Sequence, residues 1–310
     1  MFVHLSGRST YSLLEWLGSL NDLLTRVGEL WQTAVAVTDL YGMYGVVDFY
    51  SKAKAANIRP IIGVEIPFVP YTSAHRHQRN TKIPTITLIA RNHAGYHQLM
   101  RLVSFAYKQS IDEVPVVDLP LLETHGQDNI IALIGGIWSS ASYQDAIGLE
   151  TLIDQCIHCL GSDNILIAIA AQSYDHYPEL SSLNPSLWEY ATAKSLTPVA
   201  ISQYHYALES HKSTYHTALA IKDGKKVYDA DARHVKWDHH ILSEDVVRAH
   251  LVSQNRSPEQ IDLMIDNTVK VADSIETKIT LGQALFPNFT PSPEILSIYE
   301  KMKGELVEKG

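Results

Sequence analysis

The chain has 310 residues, 45% of them hydrophobic and 19% charged, enough apolar material for one large domain or two small ones with a true core. A formal net charge of −9 makes it a poor general grip on a phosphate backbone and argues against a nucleic-acid clamp acting alone. No apolar run approaches the roughly 18 residues of a membrane span and no signal peptide opens the chain; with only two cysteines, Cys156 and Cys159, the expectation is a cytoplasmic protein with no membrane partner.

Phe2–Leu5 reads as a short buried strand. From Tyr11 to Val27 the apolar residues Leu13, Leu14, Leu17, Leu20, Leu23, Leu24 and Val27 recur at helical spacing. Ser12 with Glu15 three residues on has the form of a capping box for that helix. Ala34–Val37 is a strand, followed by a polar pair and a turn in Thr38-Asp39-Leu40-Tyr41-Gly42. Val46–Ala56 is a helix with Val46, Phe49, Tyr50 and Ala53 on one face. Arg59–Ile66 is a strand in which Gly63 lets backbones approach closely. Residues 70–84 form a polar loop carrying His75, Arg76, His77 and Arg79, suited to an anion or a partner. Strands at Thr85–Ala90, Asn129–Ile134, Asn164–Ala170 and Pro198–Ser202 alternate with helices at Gly95–Tyr107, Leu149–Leu160 and Ser186–Lys194. Cys156 and Cys159 lie on the Leu149–Leu160 helix with no second Cys-x-x-Cys, so they read as helix thiols rather than a zinc half-site.

The recurring β-α order implies an α/β fold with a mostly parallel sheet, closed as a barrel. After Tyr206 the strands stop. Helices are expected at His211–Ile221, Ser243–Ser253 and Pro258–Thr277, then an extended apolar piece at Leu281–Phe289 and a last helix at Glu294–Glu308. Gly310 reads as a cut within a longer chain. The expected organisation is a barrel domain at 1–207, a helical extension at 208–280, and a linker at 281–310 leading to an absent core.

The blocks Phe2-Val3-His4-Leu5, Tyr11-Ser12-Leu13-Leu14-Glu15, Thr38-Asp39, Tyr44–Tyr50 and Ile58–Glu65 resemble the polymerase-and-histidinol-phosphatase (PHP) domain. Ala90-Arg91-Asn92, with Gly95-Tyr96 and Gln98-Leu99, resembles a further block of that domain in bacterial DNA polymerase III alpha subunits. Leu281-Gly282 with Leu285–Phe289 is similar to the linker before the polymerase core of those subunits. The resemblance implies a distorted seven-stranded β/α (TIM-like) barrel of the PHP type, followed by a helical linker segment. In active members, ligands at the C-terminal strand ends hold divalent zinc, manganese or iron that activates water for phosphoester hydrolysis.

Carried over position by position, the resemblance leaves few ligands. The opening His-x-His falls on Ser6 and Arg8, and a guanidinium cannot ligate. Glu15 and Glu65 keep their carboxylates. The histidine of Thr-Asp-His falls on Leu40, although Asp39 remains as a supporting residue. Thr85 and Gly136 replace further ligands, and the closing Asp-x-His is Gln203-Tyr204-His205. A vestigial metal set would be Glu15, Glu65 and His205, and the ancestral cluster is expected to be lost. In its place Arg8 is expected to pair with Glu65 or Glu15. Asp39 would satisfy donors at its strand end, and Leu40 would plug a dry former site.

The resemblance implies a structural and docking module of a replicative polymerase alpha subunit. Its partners would be the polymerase core of the same chain and a proofreading exonuclease, with DNA contacted only through the full-length protein. The alternative is a metal-dependent phosphoesterase or 3′–5′ exonuclease. His93 and His97, four apart on a helix, can bind metal, but with no acidic residue between them exposed helix positions are the simpler reading. His239 and His240 follow Asp238 with no further ligand nearby. No nucleophile elbow or phosphate-binding Gly-x-x-x-x-Gly-Lys loop occurs. Trp16 and Trp31 stand where the family generally has Gly, and Trp31 follows an apparent helix end that favours a left-handed residue.

Overall fold

The computed structural model describes residues 1–72, 83–126, 128–137, 148–233, 239–282 and 289–308, the last few by backbone alone. His75, Arg76, His77, Arg79, Asp238 and most of the Leu281–Phe289 piece lie outside them. The chain divides into two compact units, residues 1–279 and 280–310. The second contains one helix, Pro293–Glu308.

The first unit is built on a six-stranded sheet in sequential order. Its strands are β1 (Ala34–Leu40), β2 (Arg59–Pro67), β3 (Thr85–Ala90), β4 (Ile130–Gly135), β5 (Ile165–Ala170) and β6 (Thr197–Ile201). β1–β2, β4–β5 and β5–β6 pair in parallel. β3 runs antiparallel to both β2 and β4, so the sheet is mixed, while the other five strands share one direction and keep it mostly parallel. Isoleucine, leucine, valine and alanine fill these strands because helices cover one face and the curled interior the other; all six residues of β5 are buried. At Gly63 a Cβ would strike the Leu88 carbonyl and the Thr38 methyl, which is why β1, β2 and β3 require glycine there.

Six strands are described where seven were expected. The segment from Phe2 to Arg8 makes isolated bridges instead, His4 to Val35 and Gly7 to Tyr204. Ala36 N donates to His4 O at 2.8 Å, Thr38 N to Gly7 O at 2.7 Å and Arg8 N to Tyr204 O at 3.2 Å. One irregular segment therefore touches β1 and also the chain just beyond β6, and it curls the sheet into a half-barrel.

The helix expected over Tyr11–Val27 is much shorter: α1 spans Leu20–Glu29. Its capping box is Ser19 with Asp22, not Ser12 with Glu15. Ser12 Oγ instead donates to Asp39 Oδ1 at 2.6 Å, and positive φ angles at Leu14 (57°) and Gly18 (115°) break any helix before Ser19. A tertiary partner has taken the cap from the local pattern. Trp16 is buried, donates Nε1 to Gly18 O at 2.9 Å and meets the Tyr204 ring edge-on at 5.7 Å.

α2 (Val46–Ala55), α3 (His93–Lys108), α5 (Leu149–Leu160), α7 (Lys212–Lys222), α8 (Glu244–Ser253) and α9 (Pro258–Ser274) follow the apolar periodicity closely. α4 (Leu119–His125) lies where no element was expected; its signal is the Asp118 N-cap with Pro120 in the first turn. α6 (Leu180–Lys194) begins six residues before Ser186 and runs through Pro185, so that proline is no boundary. Cys156 and Cys159 are free, buried thiols on α5, and burial pushes the Cys156 thiol up to about 12.

Candidate functional site

The sheet edge made by the C-terminal ends of β2, β4 and β6 and by the start of the antiparallel β3 gathers positions singled out above. Ser6, Glu65, Thr85, Gly136 and Gln203 line one open cleft of about 390 Å³, with Gln172. They come from the first segment, β2, β3, the turn after β4 and the chain after β6. Five positions scattered through the sequence thus converge on one wall.

Arg8 binds the Glu65 carboxylate of this wall. Its Nε donates to Glu65 Oε2 at 3.0 Å, its Nη2 to Glu65 Oε1 at 2.9 Å and its Nη1 to Glu15 Oε2 at 2.7 Å. Both expected pairings form at once. Thr85 Oγ1 donates to Glu65 Oε1 at 2.9 Å and Gln203 Nε2 to Glu65 Oε2 at 2.7 Å. On the other carboxylate, Glu15 Oε1 accepts from Lys222 at 2.5 Å and Arg233 at 3.3 Å, and Arg233 holds Asp223 at 2.7 Å. The three cations Arg8, Lys222 and Arg233 face the three anions Glu15, Glu65 and Asp223, so the network is neutral; Arg8, Glu15 and Glu65 are its buried half, and Lys222, Asp223 and Arg233 are exposed. Ion pairs of this kind are costly to desolvate and persist only when each lone pair and proton is used.

Burial alone would raise the Glu15 carboxyl, but Arg8, Lys222 and Arg233 outweigh it and hold the group below its usual range. Burial opposes the Arg8 charge, and Glu65 and Glu15 more than compensate, holding the guanidinium above its usual value. Asp39 takes a different part. It accepts from Ser9 N at 2.7 Å, Ser9 Oγ at 2.7 Å and Ser12 Oγ at 2.6 Å, while Ser12 Oγ accepts from Leu40 N at 2.9 Å. It ties the loop after the first segment to the end of β1, as a supporting residue would. Burial raises its carboxyl in spite of these hydrogen bonds. Leu40 is half-buried and belongs to none of the apolar clusters, so it does not plug a dry site.

His205 is buried, with Nδ1 2.6 Å from the Tyr215 hydroxyl. Its Nε2 has no hydrogen-bond partner among the described residues. Burial and the Arg8 charge hold the imidazole well below its usual value. His4, two residues before Ser6, sits between the Ser202 and Leu242 carbonyls at 3.0 and 3.1 Å and is engaged in packing, not in the cleft. His239 joins Tyr177 to the Gln203 carbonyl at 3.0 and 2.9 Å.

A divalent metal does not fit these donors. Both oxygens of Glu65 are chelated by one guanidinium, Glu15 is shared among three cations, and Arg8 occupies the position between the carboxylates that a cation would need. Among the described residues no three His, Cys, Asp or Glu side chains converge to hold a metal. Lys222 and Arg233 were invisible as site residues in the sequence; they lie more than 200 positions from Glu15, and no local pattern marks them.

The PHP domain family model matches residues 4–172. The chain is 30% identical over 307 residues to the DNA polymerase III subunit alpha of Thermus aquaticus, an alignment covering 94% of this chain and 24% of that protein. It is likewise 30% identical to the subunit of Deinococcus radiodurans, covering 97% of this chain and 23% of that protein. The chain therefore spans about a quarter of the length of these relatives. A looser likeness is to the solved structure of a two-domain protein from Bacteroides vulgatus containing a predicted PHP-like metal-dependent phosphoesterase. Its TM-score is 0.40 and its identity 14%, over 82% of this chain and 69% of that one, too distant to bear on mechanism. No helix among the described residues is long and apolar enough to cross a membrane.

Proposed function

Since the chain belongs to the PHP domain family, we propose that it is the PHP module of a DNA polymerase III alpha-type subunit whose hydrolytic centre has been rebuilt as a structural one. The observation that carries this reading is Arg8 bound to both oxygens of Glu65 and to Glu15. The guanidinium supplies the positive charge that holds two buried carboxylates together, and it leaves neither free to activate water. Thr85 and Gln203, at former ligand positions, use the remaining lone pairs of Glu65. In this reading Glu15, Glu65 and His205 are vestigial ligands and the ancestral zinc, manganese or iron cluster is gone.

The same reading makes 1–207 the barrel, with the Phe2–Arg8 segment as the remnant of a seventh closing strand. Residues 208–280 would be a helical extension and 281–310 a linker toward a polymerase core. The core of the same chain and a proofreading exonuclease are the partners it implies, DNA being reached only through the full-length protein in the cytoplasm. The relatives support that context, since nearly the whole chain aligns with them.

One observation favours a metal-dependent phosphoesterase or 3′–5′ exonuclease instead: the buried Nε2 of His205 has no hydrogen-bond partner among the described residues, and its lone pair is of the kind a metal takes. Metal content of the purified chain, with phosphodiester hydrolysis assayed in added manganese or zinc, separates the two. The structural reading expects no turnover and a metal content that Glu65→Ala leaves unchanged. Stoichiometric metal with turnover abolished by Glu65→Ala would overturn it.

A further inference from the structure

We infer that His93 and His97 form a bidentate port for a divalent transition metal on the outer face of α3, apart from the cleft. The helix places residues four apart on one face. Here it brings the two rings to 4.6 Å between centroids, edge to face. The two Nε2 atoms lie 3.1 Å apart. Both side chains are exposed, so a hydrated ion reaches them without any rearrangement of the core.

The spacing matches the bite of a metal. Two imidazole nitrogens 3.1 Å apart, each at a bond length of about 2.0–2.1 Å, subtend an angle of about 98° at the ion. That lies between the square-planar and tetrahedral values, which suits copper(II), nickel(II) or zinc, the imidazole-preferring metals. The proton balance is simple. In the free pair one Nε2–H donates to the other ring's lone pair. On binding, the donor ring shifts its proton to Nδ1, the acceptor ring already carrying its own there, and both Nε2 lone pairs go to the metal without net proton release. Tyr96 lies tilted beside both rings, at 6.4 and 5.7 Å between centroids. The N-terminal position of His93 on α3 works against a cation through the helix dipole. The remaining coordination positions are open to water.

The test is calorimetric titration of the chain with nickel, zinc or copper chloride, alongside His93→Gln and His97→Gln variants whose thermal unfolding confirms an unchanged fold. The expected result is one equivalent of metal taken up by the native chain and affinity weakened at least about tenfold in each variant, with copper(II) broadening the His93 and His97 ring resonances first. No uptake by the native chain, or equal affinity in either variant, would overturn the assignment. Because Glu15, Glu65 and Arg8 are untouched in these variants, loss of binding identifies this port rather than the cleft.

Discussion

Arg8 and Glu65 form a two-pronged, buried ion pair, Nε to Oε2 at 3.0 Å and Nη2 to Oε1 at 2.9 Å, and Arg8 also holds Glu15 at 2.7 Å. Removing the cation leaves two buried carboxylates facing each other. Arg8→Met is therefore expected to lose about 3–5 kcal/mol of stability by urea denaturation. Adding Glu65→Gln and Glu15→Gln to that variant should restore much of the loss, because the uncompensated charge and not the missing contact dominates. An additive triple variant would refute this account.

Glu15 also fastens both ends of the stretch from Lys222 to Arg233. Glu15→Gln weakens both ties while keeping the shape. Trypsin should then cut at Lys222, Lys225 or Lys226 faster by roughly fivefold, equivalent to about 1 kcal/mol of easier local opening. An unchanged digestion pattern would show that the stretch is held by other contacts.

The pH dependence follows from His4. Burial, against two partly compensating carbonyls, lowers its pKa from 6.5 to about 4. Between those values the unfolded chain binds a proton that the folded chain does not, so stability rises with pH and is lost as pH falls from about 6.5 toward 4. From pH 7 to pH 5 the loss should approach about 2 kcal/mol, and His205, also held low by burial, adds in the same direction. Glu15, held low, contributes a further loss only in its own more acidic range. Asp39, raised by burial, acts with the opposite sign. Thermal unfolding of His4→Gln across this window should show a visibly shallower slope than the native chain.

Trp31 is the left-handed residue of a helix-ending motif. Its φ is 56°, its N–H donates to Gly28 O at 3.0 Å and the next N–H, of Gln32, to Val27 O at 3.1 Å, the paired bonds of a Schellman cap. Its side chain is 87% exposed, so the indole contributes little to set against the strained backbone. Trp31→Gly is expected to stabilise the fold by about 1 kcal/mol and raise Tm by about 2–3 °C.

Gly7 lies against the fully buried Tyr204 ring, and a Cβ there would overlap the ring. Tyr204 cannot retreat without giving up its hydroxyl bond to Ala36 O. Gly7→Ala should cost about 3 kcal/mol, measured as a drop in urea midpoint with unchanged m-value.

Much of this molecule was determined by the sequence alone. Buried strands such as Ile165–Ala170 and Ile130–Ile134 are continuous apolar runs, and the helices from Val46 and from Pro258 carry their apolar stripe, because periodicity records which side faces a core. An arginine at position 8 with carboxylates kept at Glu15 and Glu65 likewise forecast its pairings, since a buried charge must find its opposite. Tertiary structure decided the rest. Ser12 has the local chemistry of a helix cap, yet Asp39, 27 positions away, takes its hydroxyl, and α1 begins at Ser19 instead. The antiparallel course of β3 depends on register between strands that no window of sequence contains. Lys222 and Arg233 became site residues only because the chain folds back onto Glu15. Periodicity is a local property of the chain, whereas the neutralisation of a buried charge depends on every group that folding brings within reach.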